Sequence, residues 1–358
     1  MSKHVAIVGL GATGSALCDL LARDPQITKL TLIDPGFYGP ENLTTQRITE
    51  EDIDQPKVVV QRRRAELIRT DIEISTYLNE VGDLPPGILS ADVIAACVDS
   101  LEARIDINLA AWRLGIPWVD SGVLGSQMLA RVELFLPSEE APCLECTFTD
   151  AHYQNMKIRA ACQKPGDSIS APTNSPVFLS GLAAALQAAE IIHLLNGDDR
   201  GLEPGEQLLY GLDNRQIVLS RNRRNPECRF DHVVYRPTPT APAASIQVIT
   251  QGFGLDARSA VLRAPGYCFA ERLVCSRCGE PSGSATAIRT AGTPTLRCNG
   301  CGRYQTVHPW ILHESLCLRS QPADTLQGSV VDLGMRPGDI FSLDSGDTRF
   351  YGIAMLAQ

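Results

Sequence analysis

Three glycines near the start of the chain have the spacing of a phosphate-binding turn. Gly9, Gly11 and Gly14 form a GxGxxG pattern between the apolar run 4–8 and a stretch that favours a helix. Glycine lets the main chain turn sharply and approach a phosphate, and the N-terminus of the next helix offers free N–H groups. Asp34 follows the second apolar run, where a carboxylate can accept hydrogen bonds from ribose hydroxyls. The pattern predicts a nucleotide site and fits NAD as well as ATP.

A second set of polar residues favours ATP. Asn42, Gln46 and Lys57 follow Asp34, and Asp99 comes after a later apolar run, with Arg104 and Asn108 on the helix beyond it. Lysine neutralises phosphate charge and aspartate can hold Mg²⁺. A dehydrogenase has no need for such a lysine and aspartate beside its dinucleotide. We therefore expect ATP and Mg²⁺ as the ligands.

Cysteine pairs predict zinc. Cys275 and Cys278 form one CxxC pair, and Cys298 and Cys301 form another. A glycine follows each pair and allows a tight turn. Four thiolates at this spacing suit a closed tetrahedral Zn²⁺ site.

The elements that must position these residues alternate between strand and helix. Apolar runs predict strands at 4–8, 30–33, 72–77, 93–98 and 118–121, with helices at 15–21, 57–69 and 101–114 between them. Such alternation predicts a parallel, doubly wound α/β sheet of the Rossmann-like kind. Residues 162–176 are rich in turn formers and predict an exposed loop, and 177–195 predict a helix that ends at Gly197.

Composition excludes several classes of protein. The 358 residues carry a net charge of −9, which argues against a general nucleic-acid binder, and 44% are hydrophobic, as in a protein with a buried core. The longest apolar stretch, 177–195, contains Gln187, Glu190 and His193 at helical intervals, so we expect a packing helix rather than a membrane span. No leader pattern precedes the first strand, and we expect a cytoplasmic protein.

Taken together, residues 3–235 resemble the ThiF/MoeB/ubiquitin-activating enzyme family. The family pattern is GxGxxG, an aspartate after the second strand, Asn-Leu-x-Arg-Gln, a lysine, and Asp-Asn-x-x-x-Arg-x-x-x-Asn. The matching positions are Gly9, Gly11, Gly14, Asp34, Asn42, Gln46, Lys57, Asp99, Arg104 and Asn108. The resemblance implies that Asp34 binds ribose, that Asn42 and Lys57 contact the phosphates, and that Asp99 helps to place Mg²⁺. Thr45 replaces the family arginine, and Arg47 is the candidate substitute.

The resemblance also implies further sites. Relatives often complete a pair such as Cys143 and Cys146 with a second pair far downstream, and here Cys228 and His232 are the expected partners in a second zinc site. In several relatives the loop that crosses the adenylate carries a cysteine that accepts the activated protein as a thioester. Cys162 opens that loop here, and exposure next to Lys164 suits a reactive thiol. Family members usually form twofold dimers, so a homodimer is expected.

These observations predict a ThiF-like adenylation domain over 1–236 with a crossover loop at 162–176, a linker at 237–247, and a zinc-ribbon and β module over 248–358. The implied function is ATP-dependent adenylation of the C-terminal glycine carboxylate of a ubiquitin-like protein, followed by a thioester on Cys162 and transfer to a conjugating enzyme. A bacterial ubiquitin-like defence system is one setting. A sulfur-carrier adenylyltransferase of thiamine or molybdenum-cofactor synthesis is the alternative. An NAD-dependent oxidoreductase and a non-catalytic scaffold also remain open.

Overall fold

The computed structural model describes residues 2–154, 175–271, 273–281, 285–290, 295–298, 300–307 and 311–355. It divides into two compact units. The first contains residues 1–84 and 89–234, and the second contains residues 85–88 and 235–358.

An eight-stranded sheet forms the centre of the first unit, in the order β3-β2-β1-β4-β5-β6-β7-β8. Neighbours from β3 to β5 pair in parallel, and the pairs from β5 to β8 are antiparallel. The strands are β1 Lys3–Val8, β2 Ile27–Ile33, β3 Glu73–Tyr77, β4 Val93–Ala96, β5 Trp118–Leu124, β6 Leu129–Phe135, β7 Glu206–Gly211 and β8 Gln216–Arg221. The predicted Rossmann-like α/β architecture is confirmed for the parallel strands, whose polar ends lie side by side, whereas the antiparallel pairing from β5 to β8 was not predicted.

The helices beside this sheet whose two ends both lie in the described residues are α1 Ala12–Ala22, α2 Lys57–Ile68, α3 Leu101–Leu114 and α4 Val177–Asn196. Ser100 Oγ accepts a hydrogen bond from the Ala103 N–H and so caps α3, which ends at Gly115 with φ of 72°. Apolar residues of α1, α2 and α4 share one core with the sheet strands, including Leu17, Val58 and Ile191.

Helix α4 is held to the sheet by a buried glutamine. Gln187 Nε2 donates to the carbonyls of Ala96 (3.0 Å) and Val119 (2.8 Å), and Gln187 Oε1 accepts from Ser121 Oγ (2.8 Å) and Cys97 Sγ (3.1 Å). Among the described helices, α4 alone is long and apolar enough to cross a membrane by length and composition. The Gln187 bonds give its polar face a set of partners inside the unit.

The second unit is built from short strands. A five-stranded sheet has the order β16-β10-β17-β18-β9, and smaller sheets pair β12-β11-β15 and β13-β14. The strands are β9 Thr238–Thr240, β10 Val261–Arg263, β11 Tyr267–Ala270, β12 Thr286–Arg289, β13 Thr295–Arg297, β14 Tyr304–Thr306, β15 Leu312–His313, β16 Leu316–Cys317, β17 Ile340–Ser345 and β18 Thr348–Ala354; the helices are α5 Ile246–Gly252 and α6 Ala323–Gln327.

Two features of the second unit differ from the domain prediction. The stretch 237–247 contains β9, which pairs in parallel with β18, and the first residues of α5. Its Pro/Thr/Ala composition is typical of a linker. Composition alone does not show that β18, far along the chain, pairs with this stretch. Residues 85–88 also belong to this unit, where the Gly87 N–H donates to the Gly338 carbonyl at 2.8 Å.

Candidate nucleotide site and metal centres

The glycine turn follows β1 and leads into α1. Gly9 has φ of 86°, and a Cβ there would lie 2.6 Å from the Cys97 carbonyl oxygen. A Cβ on Gly14 would lie 1.9 Å from the Gly9 oxygen, whereas one on Gly11 would meet no atom within 4 Å. No side chain caps α1 at Gly11. The turn is therefore tightly packed at Gly9 and Gly14 and open at Gly11. The first N–H groups of α1 are available for an anion.

Asp34 fastens this turn to the end of β2. Its buried carboxylate accepts hydrogen bonds from the Leu10 N–H at Oδ2 (2.6 Å) and from the Gly36 N–H at Oδ1 (2.7 Å). Each carboxylate oxygen can accept a second bond, so the predicted contact with ribose stays chemically available. The structure adds a role that the sequence pattern did not predict, which is to hold the turn itself.

Tyr38 holds the other side of the same peptide. The buried Tyr38 hydroxyl donates to the Leu10 carbonyl (2.9 Å) and accepts from Gln61 Nε2 of α2 (2.7 Å). Burial raises the pKa of Tyr38, so the phenol stays protonated and continues to donate. Leu10 is thus bound through both its N–H and its carbonyl. Sequence reasoning missed Tyr38 and Gln61, because neither belongs to a motif.

Lys57 is the first residue of α2 and lies at the same edge. A Cβ on Gly36 would lie 3.0 Å from Asp34 Oδ1 and 3.2 Å from Lys57 Cε, so both side chains lie against that glycine. Lys57 Nζ is 5.6 Å from the centre of the Tyr38 ring. In the described part of the chain, no carboxylate forms an ion pair with Lys57. Its ammonium group can therefore bind an anion placed above the glycine turn.

Asn42 and Gln46 lie on and just after the 3₁₀ helix Pro40–Thr44. Asn42 Oδ1 accepts from the Gly39 N–H at 2.9 Å, which closes the turn, and the Gln46 N–H donates to the Asn42 carbonyl at 2.8 Å. Gln46 Oε1 is buried and has no hydrogen-bond partner among the described residues. The side-chain oxygen of Asn42 therefore accepts a hydrogen bond within the turn, and its amide N–H groups remain as donors.

Carboxylates gather at the ends of β2, β3 and β4. Asp99 is exposed after β4, and Glu80 follows β3. Burial raises the pKa of Glu80, and the nearby negative charges of Asp34, Asp83 and Asp99 raise it further. These carboxylates are therefore close enough to repel one another. A hard cation with oxygen ligands would relieve that repulsion, and Mg²⁺ is such a cation.

The two arginines of the predicted site are paired with carboxylates. Arg104 Nε donates to both oxygens of the buried Asp120 (2.9 and 3.1 Å), and Arg104 Nη1 is 3.5 Å from the Asp99 carbonyl oxygen. Arg47 Nη1 lies 3.5 Å from Asp19 Oδ2 on α1. Arg104 thus supports the segment that carries Asp99. Arg47 is placed beside α1 rather than at its N-terminus.

The first metal centre brings together Cys143, Cys146, Cys228 and His232, whose ligand atoms all lie within 4.8 Å of one another. Cys143 Sγ is 3.8 Å from Cys146 Sγ and 3.7 Å from Cys228 Sγ, and Cys146 Sγ is 3.3 Å from His232 Nε2. A tetrahedron with Zn–S bonds of about 2.3 Å has S–S edges of about 3.8 Å, whereas a disulfide needs about 2.05 Å. The predicted group fits zinc.

Surrounding groups orient these ligands. His232 Nδ1 lies 2.8 Å from the Phe230 carbonyl oxygen, so Nδ1–H donates there and the Nε2 lone pair faces the cysteines. Hydrogen bonding from Cys143 Sγ, with the N–H groups of Asn225 and Cys143, lowers the pKa of Cys146, and the same hydrogen bond together with burial raises the pKa of Cys143. Cys146 is therefore the thiolate of this cysteine pair.

The second centre joins Cys275, Cys278, Cys298 and Cys301 in the second unit. Cys275 Sγ is 3.8 Å from Cys301 Sγ, and Cys278 Sγ is 3.5 Å from Cys298 Sγ. Gly279 and Gly302 have φ of 72° and 69°, as expected for the turns that fold N–H groups around a metal-bound sulfur. N–H groups of Cys278 and Arg277 lower the pKa of Cys275 to about 6. This four-cysteine cluster can hold zinc.

Cys162 and the loop 162–176 lie largely outside the described residues, which resume at Ser175. The structure therefore places none of the contacts expected for the predicted thioester cysteine.

Comparison with known proteins identifies relatives of the first unit. The sulfur carrier protein ThiS adenylyltransferase of Escherichia coli (strain K12) is 29% identical over 234 residues, which are 64% of this chain and 86% of that protein. Ubiquitin-like modifier-activating enzyme 5 of Drosophila persimilis is 30% identical over 240 residues, which are 63% of this chain and 60% of that protein. The same enzyme of Drosophila willistoni is 26% identical over 249 residues, 65% of this chain and 59% of that protein.

Solved structures share the fold. The microcin C7 biosynthetic enzyme MccB with N-formylated MccA has a TM-score of 0.52 at 22% identity over 64% of this chain and 67% of that chain. E. coli MccB with ATP has a TM-score of 0.50 at 23% identity over 63% of this chain and 66% of that chain. The model of the ThiF family matches residues 1–230. That match covers the whole eight-stranded sheet, the glycine turn and the Cys143 pair. The chain belongs to the ThiF family, to which adenylyltransferases and E1-like activating enzymes belong.

Proposed function

We propose that this chain uses ATP to adenylate the C-terminal carboxylate of a ubiquitin-like or sulfur-carrier protein. The observation that carries the proposal is the open, uncapped N-terminus of α1 above Gly11, with Lys57 and Asp34 at the same edge. Relatives named for ThiS adenylylation and for ubiquitin-like modifier activation support the substrate class. The structure of MccB with ATP supports the nucleotide.

In the proposed reaction, an oxygen of the modifier carboxylate attacks the α-phosphorus of ATP. A bond forms between that oxygen and phosphorus as the bond to the bridging oxygen breaks, and pyrophosphate leaves. The α1 N–H groups and the Lys57 ammonium stabilise phosphate charge, while Asp34 fixes the turn and accepts from ribose. Asp99 and Glu80 would hold Mg²⁺, which neutralises phosphate charge when bound. No covalent bond to the protein is needed for this step.

The test is ATP–pyrophosphate exchange with candidate proteins that end in glycine. We expect exchange to require both the modifier and a free C-terminal carboxylate, and we expect Lys57→Gln to reduce it by about 100-fold or more because a phosphate-binding cation is lost. Lys29→Gln is the matched control, since it removes a lysine whose exposed ion pair with Glu73 is remote from the turn. Exchange that is equal in the two variants would exclude the proposed role of Lys57.

We also propose that Cys162 receives the acyl group. Its thiolate sulfur would attack the acyl carbon, and the bond to the adenylate oxygen would break with release of AMP. A sulfur-carrier adenylyltransferase is the second candidate, favoured by the 86% coverage of the E. coli ThiS enzyme. A modifier band that dithiothreitol releases, and that Cys162→Ala removes, supports the thioester. Exchange without any such band supports the second candidate.

We propose that the enzyme works as a homodimer and passes a thioester to a conjugating enzyme, on the basis of family resemblance. Light scattering on the purified chain measures the mass of the assembly. A monomeric mass at the concentration used for exchange would contradict the first part of this proposal.

A further inference from the structure

A cavity of about 200 Å³ opens in the second unit and takes no part in the proposed adenylation. We call it the C-terminal pocket. Its lining includes Tyr235, Arg263, Phe341, Ser342, Arg349 and Tyr351. All of these belong to the second unit, so the pocket is defined within one compact body.

Strand register places the polar lining on one face of the five-stranded sheet. Arg263 of β10 pairs with Ser342 of β17, which pairs with Tyr351 of β18. Asp344 lies two residues beyond Ser342, on the same face, and pairs with Arg349. The apolar residues of the opposite face, including Leu262 and Leu343, are buried in the core of the unit. The polar row is therefore held by a rigid sheet.

The pocket combines an aromatic wall with cationic donors. The rings of Tyr235 and Tyr351 stack with their centres 4.0 Å apart and their planes 7° from parallel. Arg263 Nε donates to Asp344 Oδ2 (3.0 Å), while Arg349 Nε and Nη2 donate to Asp344 at 2.8 Å each. Arg349 also forms a hydrogen bond with the Tyr351 hydroxyl, and since each guanidinium has five N–H groups, donors remain beyond these bonds.

Two cations share one carboxylate, which leaves an excess positive charge on a protein whose net charge is −9. The described lining residues include two guanidinium groups and no carboxylate, and Asp344, which lies outside the lining, already accepts from both arginines. Such a site attracts a group that is negatively charged and accepts several hydrogen bonds. The tyrosine stack offers a flat surface for an adjoining planar group.

We infer that the C-terminal pocket binds an oxyanion, the carboxylate or phosphate group of a ligand whose planar part lies against Tyr351 and Tyr235. The inference does not depend on the adenylation site, which lies in the other unit.

The probes are benzoate, phenyl phosphate and uncharged benzamide, titrated by calorimetry into the full chain at constant ionic strength. We expect one of the two anions to bind, benzamide to fail, and the stronger anion to identify the natural group. Arg349→Gln is expected to weaken that anion by about tenfold, since charged hydrogen bonds are lost. Arg349→Lys, which keeps charge but not the planar fork, should give an intermediate loss.

Arg319→Gln is the control, because it removes an exposed arginine of the same unit outside the pocket. Arg263→Gln is a second test if Arg349→Gln lowers the melting temperature strongly. The inference is overturned if benzamide binds as well as the anions, if neither anion binds at millimolar concentration, or if Arg319→Gln weakens binding as much as the pocket variants do.

Discussion

At the scale of single residues, the nucleotide edge depends on one peptide group. Leu10 is bound through its N–H by Asp34 and through its carbonyl by Tyr38, and Gln61 holds the Tyr38 hydroxyl. A phosphate-binding turn works by presenting main-chain N–H groups in fixed directions, so restraint of Leu10 should matter for ATP.

Tyr38→Phe removes this restraint with almost no change in volume. We expect KM for ATP in the exchange assay to rise about three- to tenfold and the free energy of unfolding to fall by about 1–2 kcal/mol, because the Leu10 carbonyl and Gln61 lose a buried partner. Tyr304→Phe, which alters an exposed tyrosine of the second unit, is the control. A loss of stability with an unchanged KM would mean that Tyr38 serves the fold alone.

At the scale of elements, the carboxylate of Asp106 on α3 lies against Gly82. A Cβ on Gly82 of the 3₁₀ helix Val81–Asp83 would lie 2.4 Å from Asp106 Oδ2. Burial, with the charges of Asp83 and Glu80, raises the pKa of Asp106 to about 6. Between about pH 4 and pH 6 the folded state therefore holds a proton that the unfolded chain, with a pKa near 3.8, has already released. Stability from this group is full below about pH 4 and is lost as pH rises through 6.

Asp106→Asn should accordingly stabilise the protein at neutral pH. We expect a gain of about 1–2 kcal/mol at pH 7.5, after allowance for partial solvent screening, and almost none at pH 4. Urea unfolding at the two pH values measures the difference from the parent chain. The exposed Asp213→Asn variant corrects for removal of one negative charge. A gain that is the same at both pH values would contradict the argument.

The helices show what sequence can and cannot supply. Ser100 and Gly115 are local signals, and they mark both ends of α3 at the residues predicted. Strand β9 was missed because its partner β18 is distant in sequence. Tyr38 and Gln187 were not assigned hydrogen-bonding roles for the same reason, since their partners come from other elements. Motif spacing identified Asp34, Lys57 and the metal cysteines as site residues. It could not show that Arg47 lies beside Asp19.

At the scale of the whole molecule, the described residues of each unit contain one four-residue cluster that fits zinc. The match to the ThiF family confirms the family predicted from the nucleotide pattern, and it favours adenylation over the oxidoreductase hypothesis. Apart from residues 85–88, the second unit lies beyond the family match.

We expect two zinc ions per chain by elemental analysis. Cys143→Ser and Cys275→Ser should each reduce the content to one, and each should destabilise its own unit by several kcal/mol, because metal binding contributes directly to folding. Cys317→Ser is the control, as an exposed thiol outside both clusters. A content of two in either ligand variant would remove that cluster from the zinc assignment.

The short segment 85–88 has a consequence for biosynthesis. It lies between β3 and β4 in the chain, yet its compact unit otherwise starts at Tyr235. A ribosome releases these residues long before their partner, Gly338, exists, whereas the first unit can begin folding as soon as it emerges. We infer that the second unit matures only when synthesis is nearly finished. A fragment that starts at residue 235 would lack residues 85–88, which complete the second unit in the full protein.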